Sequence, residues 1–468
     1  MEAPKNHVFY RSNKWSYPKI VKGQGIYLYD EKGNTYIDGC SGSAVANIGH
    51  GNHEVAELAK EQIETIAYTH LSRFTCDPIE ACARKIADLT PESLNHVYFV
   101  SGGSESTEAA IKMARQYHYE KNPHSQKWKV ISKRHSFHGN TLGALSMTGI
   151  TERRQVYDQM LINFPKIPQF YQYRNQWSTD WYHTSLQAAL ALESEIQFQG
   201  AENIAAFISE PVVGSAAPGV YPHPVYFEMV RELCDEHDII FIMDEVMTGF
   251  GRTGKMFACE HFNVEPDLLC IAKGMSAGYA PIGAVVASDK IFNTIMTEGS
   301  GAFKHGHTYG GHPLSCAVAS KVIDIVQNGL VENSKERGRQ LLDLLQNLYK
   351  LDFVGDIRGL GLMIGIEFVC DKENKLPFKR DINLKQRVTE NCLKEGLVVY
   401  PGSGTYGHTE GDHILIAPPL IITEDQVLEL YKKLEKALLT TQESLRKEKL
   451  WISSLSPSHQ QAMYRQRL

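Results

Sequence analysis

The sequence has no apolar run approaching the roughly 20 consecutive residues that a membrane-spanning helix needs, so no bilayer-embedded protein is expected. It has no CxxC pair, and its nine cysteines are scattered and odd in number. That pattern suits free thiols in a reducing compartment and argues against a disulfide framework. Despite 19 histidines there is no HExxH and no paired Cys/His spacing, so no metal site is expected. Positive charge is not in excess either. A formal net charge of −6 disfavours a nucleic-acid binder, which works by neutralising phosphates. The opening stretch MEAPKNHVFYRSNKW carries no apolar segment of the secretory type, and the cytoplasm is the expected location.

What is present reads as a large globular chain. Its 468 residues, 43% hydrophobic and 22% charged, exceed one small domain and can bury a large core. GIYLYDEKGNTYIDG reads as a hairpin around the turn Glu31-Lys32-Gly33-Asn34, and a helical pattern begins near Asn52. Short apolar runs then alternate with amphipathic stretches: HVYFV and a helix from Glu105, KVISK, IAAFIS, a helix over VYFEMVRELCDEH, DIIFIM and LLCIA. Continuous apolar runs separated by helices predict an α/β fold whose mostly parallel sheet is buried on both faces. Beyond Gly329 long helices dominate, with strands such as LMIGIEFV. The expected organisation is a large domain over 71–329 and a smaller α/β domain built from both chain ends, 1–70 and 330–440. A polar C-terminal tail, 441–468, follows, read as a surface helix or a frayed end.

Two charged residues sit directly after strand signals. Asp244 follows Ile239–Met243 and Lys273 follows Leu268–Ala272, which puts both at carboxyl ends of strands, where open α/β sheets bind ligands. Each alone reads as a solvated strand end. Together they outline a pyridoxal phosphate site. A desolvated lysine amine condenses with an aldehyde, and a carboxylate holds a pyridine nitrogen protonated so that the ring becomes an electron sink. Ser101-Gly102-Gly103-Ser104-Glu105-Ser106, between HVYFV and the next helix, offers a helix N-terminus to a phosphate. The alternative is an ordinary N-cap with Ser104 or Ser106. Phe137, in Ser136-Phe137-His138-Gly139 after KVISK, can stack on a flat ring or pack in a core. Gly249-Phe250-Gly251-Arg252-Thr253-Gly254 matches a dinucleotide fingerprint. Against that reading, Asp244-Glu245 intervenes after the strand, and KMFACEHFNVEPD is a poor helix.

These residues resemble the class III pyridoxal-phosphate aminotransferases of fold type I. The resemblance covers about residues 20–435 and rests on Ile208-Ser209-Glu210-Pro211-Val212, the run Asp244–Gly254, Ala272-Lys273-Gly274, Gly278–Ala284, Gly49-His50-Gly51, Phe137-His138-Gly139 and His307–Pro313. It implies Lys273 as the Schiff-base lysine and proton shuttle, with Asp244 at the pyridinium nitrogen. Phe137 and Val246 would lie on opposite ring faces, and Gly103 and Ser104 on the phosphate. Thr308 would reach the phosphate of a partner subunit, which implies a homodimer with shared sites. Glu210 would sit on the substrate side.

Two departures bear on the substrate. Where many relatives carry an arginine for an acidic substrate, this chain has His408, with Glu410 beside it, and Ser43-Ala44 stand where amine-specific relatives place an aromatic. A donor neutral or cationic at its far end is therefore expected, with Arg73 as the alternative carboxylate anchor. The implied reaction moves an amino group from an amine or amino acid to a 2-oxo acid, pyruvate or 2-oxoglutarate. The same lysine and aspartate would also serve a racemase or epimerase, an aminomutase or a decarboxylase. An NAD-dependent dehydrogenase using GFGRTG is the rival of another class.

Overall fold

The computed structural model describes residues 7–448 and 450, apart from 14, 16, 176, 177 and 408. Its centre is a seven-stranded sheet made in chain order of β1 (Leu94–Val100), β2 (Lys129–Lys133), β3 (Lys166–Ile167), β4 (Ile204–Ser209), β5 (Ile240–Asp244), β6 (Leu268–Ile271) and β7 (Gly283–Ser288). The spatial order is β1-β7-β6-β5-β4-β2-β3. Only β7 runs antiparallel to its neighbours; the remaining pairs are parallel. Successive side chains alternate between two cores. Phe207, Phe241, Leu269 and Ile271 enter one, while Ala206, Ile208, Ile242 and Cys270 enter the other. Burial on both faces is why these strands read as unbroken apolar runs. The helix after β1 spans Gly103–Lys121, two residues earlier than expected, and buries Ala109, Ala110, Met113, Ala114 and Tyr117 on its sheet-facing stripe.

Both chain ends meet beside this sheet. Tyr27–Asp30 and Thr35–Asp38 form the hairpin, whose turn is held by the Asp30 carboxylate accepting from the amides of Lys32 and Asn34 at 2.9 and 2.8 Å. Thr35–Asp38 also pairs in parallel with Leu397–Val398. A four-stranded antiparallel sheet follows, Val354–Leu360, Met363–Phe368, His413–Ile416 and Tyr400–Gly402. With the helices Val331–Leu345, Leu384–Lys394 and Glu424–Lys447 it encloses a second apolar core. The stretch from Thr441, expected as a surface helix or a frayed end, is helical through Lys447, but with Thr441 and Leu445 buried, because Leu434, Leu438, Thr441 and Leu445 keep an i, i+3/i+4 stripe against the core. Residues 451–468 lie outside the described residues. One helical stretch, Pro313–Lys350, is long and apolar enough by composition to cross a bilayer. Asn328 and Gly329 break its helical geometry, and Cys316, Ala319 and Ile323 belong to a core of the central sheet.

Candidate active site

The carboxyl ends of β1, β2, β4, β5 and β6 all open on one edge of the sheet, and a cavity of about 150 Å³ lies there. Six of the seven site residues read from the sequence line it: Gly103, Ser104, Phe137, Asp244, Val246 and Lys273. Glu210 lines it as well. Thr308 does not; it is exposed, and its carbonyl accepts from the Tyr68 hydroxyl at 2.8 Å.

Lys273 begins the turn after β6 with a left-handed φ of 47°, a conformation that costs an L-residue about 1–2 kcal/mol. Its side chain makes no hydrogen bond or ion pair with a described residue. Burial pushes its amine down to about 8, opposed by the carboxylates of Asp244 and Glu210 and aided by the charges of Arg252 and Arg153. Asp244 closes β5, 5% exposed. Its Oδ2 lies 2.7 Å from His138 Nδ1, and its Oδ1 accepts from the Val246 amide at 3.1 Å. A buried carboxylate held from two sides has its orientation set before any ligand arrives. His138 is a positioning residue that sequence reasoning named only as part of FHG; no local signal pairs it with an aspartate 106 residues away. Its Nε2 is buried and has no partner among the described residues. The neighbouring Glu245 turns into the fold instead, accepting from the amides of Ala258 and Cys259 at 2.6 and 2.7 Å and from the Thr248 hydroxyl at 2.8 Å.

At the other end of the cavity the helix Gly103–Lys121 starts without any side-chain cap, so its first amides are free for an anion. Neither serine of the alternative reading caps it. The Ser104 hydroxyl instead accepts from the Asn140 amide at 3.1 Å. Gly103 is required by close approach: a Cβ there would meet Val246 Cγ1 at 2.6 Å. Gly139 has φ +134°, and a Cβ would stand 2.6 Å from Ser104 Oγ. Glu210 spans the wall between β4 and β2, accepting from the Phe137 amide at 3.1 Å and the Gly214 amide at 2.8 Å. Burial pushes its carboxyl up. Phe137 is thus fixed through its backbone by a residue two strands of sequence away.

The residues expected to shape the substrate end are dispersed. Ala44 turns into a small core with Val212, Ala258, Met363, Leu415 and Ala417, so its short side chain is a packing requirement there. Arg73 is exposed on a turn and lines no part of the cavity. His408 lies outside the described residues.

The run GFGRTG has another use than a dinucleotide loop. It leads into turns and the short 3₁₀ helix Ala258–His261, not into a crossover helix. Arg252 is fully buried and donates to the carbonyls of Leu362 and Pro418 at 3.0 and 2.6 Å and to Asn47 Oδ1 and Ser41 Oγ at 2.7 and 3.3 Å. One guanidinium therefore ties the end of β5 to the N-terminal segment and to two C-terminal ones.

Comparison with known proteins agrees with this geometry. The family model described as Aminotransferase class-III matches residues 10–438. An uncharacterized aminotransferase of Bacillus subtilis, YodT, is 39% identical over 437 residues, 92% of this chain and 97% of its own. A transaminase from the marine bacterium Virgibacillus is similar in structure, with TM-score 0.85, 40% identity and coverage of 92% of this chain and 95% of its own. An amine transaminase from an uncultivated Pseudomonas species, in its PLP-bound form, gives TM-score 0.87 at 32% identity, covering 94% and 98%. A strand-end lysine and aspartate facing an uncapped helix, within a match over nearly the whole chain, leave the dehydrogenase reading without support: the chain belongs to the class III aminotransferases, PLP-dependent enzymes of fold type I.

Proposed function

We propose that this chain moves an amino group from an amine or amino-acid donor to a 2-oxo acid, pyruvate or 2-oxoglutarate, with pyridoxal phosphate attached at Lys273. The observation that carries this reading is the Lys273 amine, unpaired and lowered to about 8, in one cavity with the Asp244–His138 pair and an uncapped helix. The residues present fit the cofactor. The free amides at Gly103 and Ser104, with the Ser104 hydroxyl, would hold the phosphate, and around Gly102 a Cβ would meet nothing within 4 Å. Asp244 would face the ring nitrogen; Phe137 and Val246 would flank the ring. When bound, the cofactor supplies an electron sink for the pair left as the donor's C–H bond breaks. The protein does the rest. The Lys273 amine, lowered to about 8, would act as the base that carries that proton away and back. Asp244, held by His138 and the Val246 amide, would be oriented toward the ring nitrogen.

The same proposal includes a cytoplasmic homodimer. Thr308 is exposed and outside its own chain's cavity, which supports a contact to the phosphate of a partner, and all nine cysteines are free thiols. The position of Arg73 away from the cavity supports a donor without an acidic far end.

Borohydride treatment of the cofactor-loaded protein should fix the label on Lys273, read by peptide mapping. A label on another lysine, or none, would sink the proposal. The pH dependence of attachment is a separate expectation. Only the neutral amine attacks the aldehyde, so a pKa of about 8 makes the attachment rate rise about tenfold per unit below pH 8 and level off above it. At pH 7 the neutral fraction is roughly 300 times that of a lysine at its ordinary value. Stopped-flow absorbance on apoenzyme mixed with the cofactor measures this, and a rate still climbing steeply past pH 9.5 would contradict it.

A further inference from the structure

A 2-oxo acid carries a carboxylate beside the carbon that receives the amine, and a carboxylate taken out of water needs a cation. Lys273 cannot serve, because its amine is needed as the base that carries the proton. Two arginines lie close enough for their charge to act on the Lys273 amine, Arg252 and Arg153. Arg252 is fully buried, and both of its terminal nitrogens are taken up by protein oxygens. Arg153 differs in each respect. It is half-buried, and its side chain makes no hydrogen bond or ion pair with a described residue. Its guanidinium carbon stands 4.9 Å from the centroid of the Phe137 ring, which lines the cavity.

The local fold explains how it gets there. Thr151–Arg154 is a single helical turn. Glu152 pairs with Arg380 at 3.3 Å and Lys385 at 3.6 Å, and Arg154 pairs with Asp158 at 3.7 Å. With both neighbours engaged elsewhere, the turn is pinned and Arg153 is left over the aromatic ring. A guanidinium resting on a ring keeps its edge donors free and its plane oriented, the arrangement that grips a carboxylate with two hydrogen bonds.

Resting on the reading of the Lys273 site above, we propose that Arg153 is the carboxylate anchor of the substrate pocket, binding the α-carboxylate of the 2-oxo acid from its seat on Phe137. Of the two arginines whose charge acts on Lys273, Arg153 is the one with its donors free, so the site receives one carboxylate. The acceptor is a monocarboxylic 2-oxo acid such as pyruvate; 2-oxoglutarate, with a second carboxylate lacking a partner, is the poorer substrate.

The test uses cofactor-loaded wild type, Arg153→Gln and Arg153→Lys. Propanoate, an unreactive carboxylate of pyruvate's size, is titrated by calorimetry. In parallel, kcat/KM is measured for pyruvate, for 2-oxoglutarate and for propanal, which lacks a carboxylate. Arg153→Gln should weaken propanoate binding about tenfold or more, the usual size for lost charge-assisted hydrogen bonds, and lower the preference for pyruvate over propanal by a similar factor. Arg153→Lys should recover part of both. An unchanged propanoate affinity overturns the proposal. So does an equal fall for pyruvate and propanal, which would mean that Arg153 merely supports Phe137. Wild-type turnover of 2-oxoglutarate equal to that of pyruvate overturns it too. Borohydride labelling of the same preparations reads separately. No label on Lys273 in wild type sinks the underlying reading, whereas a labelled Lys273 with unaltered propanoate binding in Arg153→Gln sinks Arg153 alone.

Discussion

Asp244→Asn should fold normally and lose a factor of roughly 10²–10⁴ in turnover, the equivalent of the 3–5 kcal/mol typical for breaking a buried charge pair. The wild-type carboxylate is 5% exposed and held by His138 Nδ1 at 2.7 Å and the Val246 amide at 3.1 Å. An amide of the same shape can still accept from Val246, so the loop after β5 keeps its course. On the proposed reading, what is lost is the negative charge that would stabilise a protonated ring nitrogen. Stability should change far less than turnover, since the cavity wall is otherwise intact. Steady-state kinetics together with a thermal melt separate the two quantities. Turnover within threefold of wild type would mean that the ring nitrogen is held by another group.

Arg252→Ala should act on stability. The substitution leaves the Leu362 and Pro418 carbonyls and Asn47 Oδ1 facing a cavity without their donor. Each orphaned buried acceptor costs roughly 1–3 kcal/mol, and the loss of the side chain's volume adds to that. Against this stands relief from burying the charge, whose cost shows in a guanidinium pushed down by burial to about 9. The net expectation is a loss of about 3–5 kcal/mol, visible as a clear fall in the urea midpoint. Because this chain has more than one core, the midpoint is the safer measure than an extrapolated free energy. An unchanged midpoint would show that water or a neighbour replaces the guanidinium at no cost.

The legible parts of this protein were those encoded over a few residues. β4, β5 and β6 announce themselves as apolar runs, and the residue after each run falls on the ligand edge of the sheet by geometry alone. That is why Asp244 and Lys273 could be placed from sequence, and why Gly103, Ser104, Phe137 and Val246, each close to a strand end, gather in the same cavity. Two-residue β3 gave too short a pattern to be seen. Pairings across long separations were also hidden: His138 with Asp244, Glu210 with the Phe137 amide, and Arg252 with Pro418 depend on which strands become neighbours. Ala44 illustrates the converse. Standing where amine-specific relatives place an aromatic, it reads as bearing on the substrate, but the backbone turns it into a core. Arg153 carried no signal at all, since its significance lies in the partners its neighbours take.

The parallel pairing of Thr35–Asp38 with Leu397–Val398 has a consequence for the order of events during synthesis. The two strands are separated by about 360 residues of chain. At about 5–20 residues per second, the N-terminal strand waits roughly 20–70 s on the ribosome before its neighbour is made. All seven strands of the central sheet emerge within that interval. The sheet edge bearing Asp38 thus stays open while most of the enzyme already exists, a span in which it can pair with the wrong chain. A nascent chain stalled before residue 397 is therefore the species in which this protein's demand for chaperone protection should be greatest.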